Sequence, residues 1–451
     1  MAIFIADQPG VPATKDTHAF SKKYIVVISL ISALGGYLFG FDFAVISGAL
    51  PFLQNQFHLD SYWEGFATGS LALGAVAGCV IAGKIADRYG RRPGLMYAAL
   101  VFTVSSVVMA LSVSREMFIG ARFCAGIGVG MASMLSPMYI AEVAPAHLRG
   151  RLVAINQLTI VIGILITNLV NYWLRNSGAD AWRWMFGLGV VPSSLFLLGS
   201  FFLPESPRWL VKVNRVQEAE KVLLRIGDTA FAKQALQQIA ASLQGISKMN
   251  YSGLLQKQVI PAVLVGIGLA VFQQLCGINT VFNYAPKIFQ SIGANQDDQL
   301  MQTIFIGGVN LVFTVLALLL VDKLGRKPLM LMGAAGLTIL YIFIAQLLGA
   351  HVASVSWFLL AAIGLYAMTL APVTWVLISE IFPNKVRAEA IVVATVSLWI
   401  AYFMLVFTFP VLFEKWKEQS FYIYAGVCAV GTLFTWQKVK ETKGKSLESM
   451  E

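Results

Sequence analysis

Apolar residues run along the chain in twelve long blocks, separated by polar segments. The blocks are Tyr24–Leu50, Tyr62–Ala86, Pro93–Val113, Glu116–Ala141, Leu152–Leu174, Trp184–Leu203, Val259–Ile292, Leu300–Val321, Leu329–Leu348, Ser354–Phe382, Ala388–Phe413 and Phe421–Gln437. A helix crosses a bilayer with about 20 apolar residues at about 1.5 Å rise each. The pattern therefore predicts an all-α membrane protein with twelve transmembrane helices. One long polar segment divides the blocks evenly, giving an N-terminal half over 1–203, a cytoplasmic linker over 204–258 and a C-terminal half over 259–451. Within the linker, Val216–Arg225 and Ala230–Leu243 read as short amphipathic helices. The first 23 residues are polar and precede a block too long for a signal-peptide core, so no cleaved signal is expected.

Composition sharpens this picture. The chain is 57% hydrophobic and 12% charged, against about 25% charged in an average soluble domain. Ordinary soluble, disordered and coiled-coil classes are excluded. Four Cys in 451 residues exclude a disulfide scaffold; all lie in apolar blocks, where they read as small packing residues. No metal-ligand spacing is present. The net charge of +10 raises nucleic acid as a partner, but its distribution removes it. With both termini cytoplasmic, 26 of the 33 Lys and Arg fall on the cytoplasmic side, six on the outer side, and Arg122 alone lies well inside a block. That asymmetry orients the chain, and the basic excess marks loops rather than a nucleic-acid face.

Short polar motifs recur at nearly one offset. Asp87-Arg88-Tyr89-Gly90-Arg91-Arg92 matches Asp322-Lys323-Leu324-Gly325-Arg326-Lys327 at 235 residues. Glu142 and Pro145 with Arg149 match Glu380 and Pro383 with Arg387 at 238, and Glu205 is echoed by Glu441 at 236. The chain thus reads as a duplication, and six spans per copy give both the same orientation, a parallel repeat.

These segments carry a family resemblance. GKIADRYGRR at 83–92, PESPRWL at 204–210, QQLCGIN at 273–279, GGYLFGFD at 35–42 and APVTWVLISEIFP at 371–383 occur in order. They resemble the sugar porter family of the major facilitator superfamily, the second half being most similar to bacterial xylose–proton symporters. The resemblance implies a multi-pass protein of the plasma (inner) membrane, acting as a monomer. It also implies a cytoplasmic gate of paired charges: Asp87, Arg88, Arg91, Arg92, Glu142, Arg149, Glu205 and Arg208 in one half, and Asp322, Arg326, Lys327, Glu380, Arg387 and Glu441 in the other. These would pair when the gate shuts and part when it opens. The plainer alternative is that they only set topology. The family usually has Pro before the last acid, where this chain has Lys440.

Asp42 and Arg122 are the only charged residues well inside the apolar blocks. Such a charge costs at least about 2.5 kcal/mol, so it is a functional candidate by default. Asp42 lies eight residues from the outer end of its span and Arg122 six from the outer start of its own. At 1.5 Å per residue both sit roughly 9–12 Å below the outer face. Equal depth and opposite sign predict a pair. With Arg122 near, Asp42 is held as carboxylate; once the pair separates, the buried acid takes a proton. Asp42 matches the acid of proton-coupled family members. The alternative is a static salt bridge in a facilitative sugar or polyol uniporter. Some proton-coupled members carry a further acid in span 6, where this chain has Gly189.

A sugar site needs neutral donors and acceptors with an aromatic platform. Buried amides suit it, since each both donates and accepts. Span 7 offers Gln273, Gln274, Asn279 and Asn283, span 5 Gln157, span 8 Asn310, span 10 Trp375 and span 1 Phe39. The span 7 amides do not share one face of an ideal helix, so unwinding near Gly277 is expected. The alternative is that these amides glue helices together. The family usually has Tyr-Tyr where this chain has Asn283-Tyr284, and an amide where it has Leu398 and Tyr402. A hexose, a pentose or a cyclic polyol all remain open as the monosaccharide carried with a proton. No cofactor and no catalytic constellation are expected. The Gly444-Lys445-Ser446 run lacks the earlier Gly of a nucleotide-binding loop, that place being Val439. A sugar sensor on this scaffold would be expected to carry longer cytoplasmic tails than the 23 and 14 residues read here.

Overall fold

A computed structural model describes residues 20–243, 251–383 and 386–441. The first half holds α1 (Lys22–Phe57), α2 (Ser61–Tyr89), α3 (Arg91–Ala110), α4 (Arg115–Val143), α5 (Ala146–Leu174) and the broken pair α6 (Ala181–Gly187) and α7 (Val190–Phe202). Three short helices follow: α8 (Pro207–Lys212), α9 (Val216–Ile226) and α10 (Thr229–Leu243). The second half holds α11 (Ile260–Leu275), α12 (Ile278–Gln290), α13 (Gln296–Leu324), α14 (Arg326–Gly349), α15 (Val355–Met368), α16 (Leu370–Ile381), α17 (Arg387–Trp416) and α18 (Ser420–Lys438). Eleven stretches of the described residues are long and apolar enough to cross a membrane; the last, Glu389–Lys438, contains both α17 and α18. Twelve crossings result, as the apolar blocks predict, with α9 and α10 where the linker pattern places them.

Local chemistry ends the helices. Asp60 accepts the Trp63 N–H at 2.8 Å to start α2, and Asn295 accepts the Asp298 N–H at 2.8 Å to start α13. Gly90 and Gly325 take φ of +104° and +91° between α2 and α3 and between α13 and α14, the same turn at the same place in each half. Spans 6, 7 and 10 are each interrupted, at Leu188–Gly189, Cys276–Gly277 and Thr369. Only the break near Gly277 is expected from the sequence.

The packing restates the repeat. In the first half α1 packs on α5 and α3 on α7; in the second α11 packs on α17 and α14 on α18. Between halves, α2 meets α17 on one side and α5 meets α13 on the other, while α1 meets α12 centrally. Exchanging equivalent spans turns one interface into the other, as a twofold axis along the membrane normal requires. Large apolar side chains such as Trp184, Phe202, Phe305 and Trp436 remain exposed around the outside, where lipid is the solvent.

Close approaches depend on glycine. Gly74 of α2 and Gly126 of α4 face each other so tightly that a Cβ on Gly126 would collide with the Leu71 carbonyl. Gly126→Val is expected to cost about 1–3 kcal/mol and lower the unfolding midpoint in detergent. Gly120→Ala, where a Cβ meets nothing within 4 Å, is the control that leaves it unchanged.

Candidate functional site

Asp42 of α1 and Arg122 of α4 meet in the interior of the first half, Arg122 Nη2 to Asp42 Oδ2 at 3.3 Å, both side chains at 1% exposure or less. The matched depths in the sequence correspond to contact. The Phe186 ring lies 5.6 Å from the guanidinium carbon of Arg122. Among the described residues, both Asp42 oxygens and Arg122 Nε and Nη1 lack a hydrogen-bond partner. This is an ion pair without the two-pronged geometry that makes such pairs strong.

The amides of span 7 form a chain. Gly277, at φ +89°, breaks the helix so that α11 and α12 present their amides together. Asn279 Nδ2 donates to Gln274 Oε1 at 2.5 Å, Gln274 Nε2 to Gln273 Oε1 at 2.5 Å, and Gln273 Nε2 to the Tyr366 hydroxyl at 2.6 Å. Asn283 joins the same helix one turn on: its Nδ2 donates to the backbone carbonyl of Asn279 at 2.7 Å. Gln273, Gln274, Asn279 and Asn310 are buried, Asn283 completely so. Gln157, Trp375 and Phe39 are half-buried. Phe39 also packs against Trp399 across the two halves, ring centres 5.7 Å apart.

The duplicated charges form two matching clusters at the face that carries the linker. In the first, Arg91 grips Glu142 through Nε and Nη2, both at 2.9 Å. Glu205 accepts the backbone N–H of Arg91 at 2.8 Å and of Ser206 at 2.7 Å. Burial pushes the Glu205 carboxyl up from its ordinary range, and those backbone donors oppose the shift. Arg92 donates to the Phe201 carbonyl at 2.7 Å. In the second, Arg326 reaches Glu380 at 3.5 Å, Glu441 accepts the backbone N–H of Arg326 and Lys327 at 3.0 Å each, and Lys327 donates to the Trp436 carbonyl at 2.7 Å. Glu441 thus does what Glu205 does, despite the Lys before it.

The remaining gate candidates divide. Asp87 pairs with Lys212 of α8 at 2.9 Å. Arg387 donates to the Phe382 carbonyl at 2.9 and 3.1 Å. Arg88 stands apart over the Tyr89 ring. Arg208 is exposed, and the Arg149 guanidinium beside it has an Nε with no partner among the described residues. The Asp322 side chain lies outside the described residues.

At the opposite face, bonds cross between the halves. Lys287 of α12 meets Glu64 of α2 at 2.5 Å, and Arg175 after α5 meets Asp297 of α13 at 2.6 Å. Ser61 donates to Glu414. Tyr62, Phe66, Phe403 and Phe407 interleave beside them. Glu64 is 1% exposed, so it joins Asp42 and Arg122 as a buried charge, one that the sequence analysis does not single out. The available signal was an acid at the start of span 2 and a base near the end of span 7, of opposite sign and at one face.

Comparison with known proteins agrees with this arrangement. Residues 28–451 match the family model described as sugar (and other) transporter. The chain is 39% identical to the D-xylose-proton symporter of Escherichia coli strain K12, over 96% of each chain. It is 38% identical to the arabinose-proton symporter of Bacillus subtilis, over 98% of this chain and 97% of that one. Among solved structures it resembles the inward open conformation of the Escherichia coli xylose transporter, with a TM-score of 0.85, 37% identity, and coverage of 95% of this chain and 99% of that one. Twelve helices in two repeated halves, a buried acid–base pair and a chain of amides at a broken helix therefore have one source: the chain belongs to the sugar transporter family of the major facilitator superfamily and is a multi-pass plasma-membrane transporter, not an enzyme.

Proposed function

We propose that the protein imports a monosaccharide together with a proton by alternating access, with Asp42 carrying the proton. The observation that carries this reading is the Asp42–Arg122 pair, fully buried and held at 3.3 Å by charge attraction alone. An isolated carboxylate away from water is costly, so loss of the guanidinium favours the neutral acid. Relatives named as xylose, arabinose and galactose symporters support an aldose sugar as cargo. The amides from Gln273 to Asn279, with Gln157, Asn310, Trp375 and Phe39, are its proposed contacts.

The linker face is proposed as cytoplasmic, with both termini there, because 26 of the 33 basic residues belong to it. The described ion pairs that join the halves lie at the far face, while those at the linker face join helices of one half. This supports an inward-facing state, in agreement with the inward open relative. Arg149 and Arg208, like charges side by side, are the groups we expect to take acids of the second half when the inner side shuts. Residues 1–203 and 259–451 act as the moving bodies and 204–258 as their linker. One chain contains both bodies and the whole site, so a monomer suffices.

Proteoliposomes with an inward proton gradient test the proton role. Asp42→Asn is expected to abolish uphill accumulation while keeping sugar exchange; accumulation at the wild-type level removes Asp42 from coupling. Gln274→Ala breaks the amide chain and is expected to raise the sugar KM by about tenfold, or about 1.4 kcal/mol, whereas an unchanged KM takes Gln274 out of the site. Lys287→Met leaves the Glu64 charge buried and uncompensated, which costs about 3–5 kcal/mol. It is expected to lengthen the distance between spin labels at Gln56 and Ser291, and Glu64→Gln in the same chain to restore it.

A further inference from the structure

The proposed proton carrier sits in the first half and the sugar amides in the second, so symport needs a physical link between them. One side chain lies between them. Tyr402 of α17 is buried, and its hydroxyl accepts from Asn283 Nδ2 at 3.1 Å and donates to Asn283 Oδ1 at 3.2 Å. Through Asn283 it reaches the helix of the amide chain, since Asn283 also holds the backbone carbonyl of Asn279 at 2.7 Å. On its other side the Tyr402 ring packs against Phe43, ring centres 5.6 Å apart, and Phe43 follows Asp42 directly on α1. The Tyr402 hydroxyl is close enough to feel the charges of both Asp42 and Arg122. Arg122 pairs with Asp42 from α4, and Tyr402 packs from α17 on the neighbouring Phe43.

From this geometry we infer that Tyr402, oriented by Asn283, is the positioning residue that couples the state of the Asp42–Arg122 pair to the sugar amides of α11 and α12. The inference rests on the symport reading and adds the route by which it acts. A phenol hydroxyl both accepts and donates, and here it holds both side-chain atoms of Asn283, so a shift of the Tyr402 ring carries to Asn283. Asn283 cannot turn freely, because its Nδ2 is also committed to the Asn279 carbonyl. Motion of α12 around a sugar and rearrangement of α1 at Asp42 therefore act on one side chain, through Asn283 at its hydroxyl and Phe43 at its ring. This also accounts for two of the places where the chain departs from its family pattern: the amide at 283 and the phenol at 402 are partners in one contact.

The test reconstitutes the full chain in liposomes and measures two quantities on each variant: sugar accumulation driven by an imposed proton gradient, and equilibrium sugar exchange with no gradient. Tyr402→Phe keeps the ring and removes the hydroxyl. It is expected to lower the accumulation ratio at least about fivefold while exchange stays within about twofold of wild type. Asn283→Ala is expected to lower the accumulation ratio at least as far with the hydroxyl present, and adding Tyr402→Phe to it to lower the ratio no further, because the two break one link. Wild-type accumulation in Tyr402→Phe overturns the inference and leaves symport standing. An equal loss of accumulation and exchange in Tyr402→Phe also overturns it, since that marks a purely structural contact. Absence of gradient-driven accumulation in the wild-type protein overturns the symport reading and this inference with it.

Discussion

A charge surrounded by lipid and apolar side chains must have a counter-charge, and the placement of Asp42 opposite Arg122 is the constraint around which the first half is built. Satisfying it brings α1 against α4 and sets Phe186 beside the guanidinium. The geometry is sparing. Arg91 holds Glu142 with two donors at 2.9 Å, while Arg122 holds Asp42 by one nitrogen at 3.3 Å. Two-pronged pairs are strong and directional. The difference separates a bond fastened by two donors at a helix end from one made through a single nitrogen, and the latter lies buried in the interior of the first half.

The duplicated clusters at the linker face follow the opposite logic. Arg91, Glu142 and Glu205 tie α3, α4 and the start of α8 together, and Arg326, Glu380 and Glu441 tie α14, α16 and the end of α18 in the same way. Each half is thereby fastened within itself, so the proposed relative motion would concentrate where the halves meet. There the contacts are aromatic edges and a few ion pairs at the far face, a surface with alternative packings.

Much of this was legible in the sequence because membrane chemistry leaves few options. Twelve apolar blocks had to be helices, the offsets between Asp87 and Asp322 and between Glu142 and Glu380 exposed the duplication, and equal depth sufficed to pair Asp42 with Arg122. The rest was hidden for physical reasons. Glu64 and Lys287 lie near span ends, where a charge is ordinarily solvated, so the burial of Glu64 depended on how α2 and α12 pack. The break at Thr369 has no glycine to mark it; Pro372, three residues on, was the only local sign. Asn283 and Tyr402 are 119 residues apart, and as separate departures from a family pattern they gave no hint that they touch.

The amide chain has a bearing on the half of a transport cycle in which nothing is carried. Gln273, Gln274, Asn279 and Tyr366 hydrogen-bond one another. Buried amides left without partners would each cost about 1–3 kcal/mol, which would make the vacant form slow to close around them. A site that satisfies itself removes that barrier to the vacant return. A sugar bound at the contacts proposed above would exchange hydrogen bonds one for one rather than add them. In a carrier built this way, modest grip and ready release would be the same property.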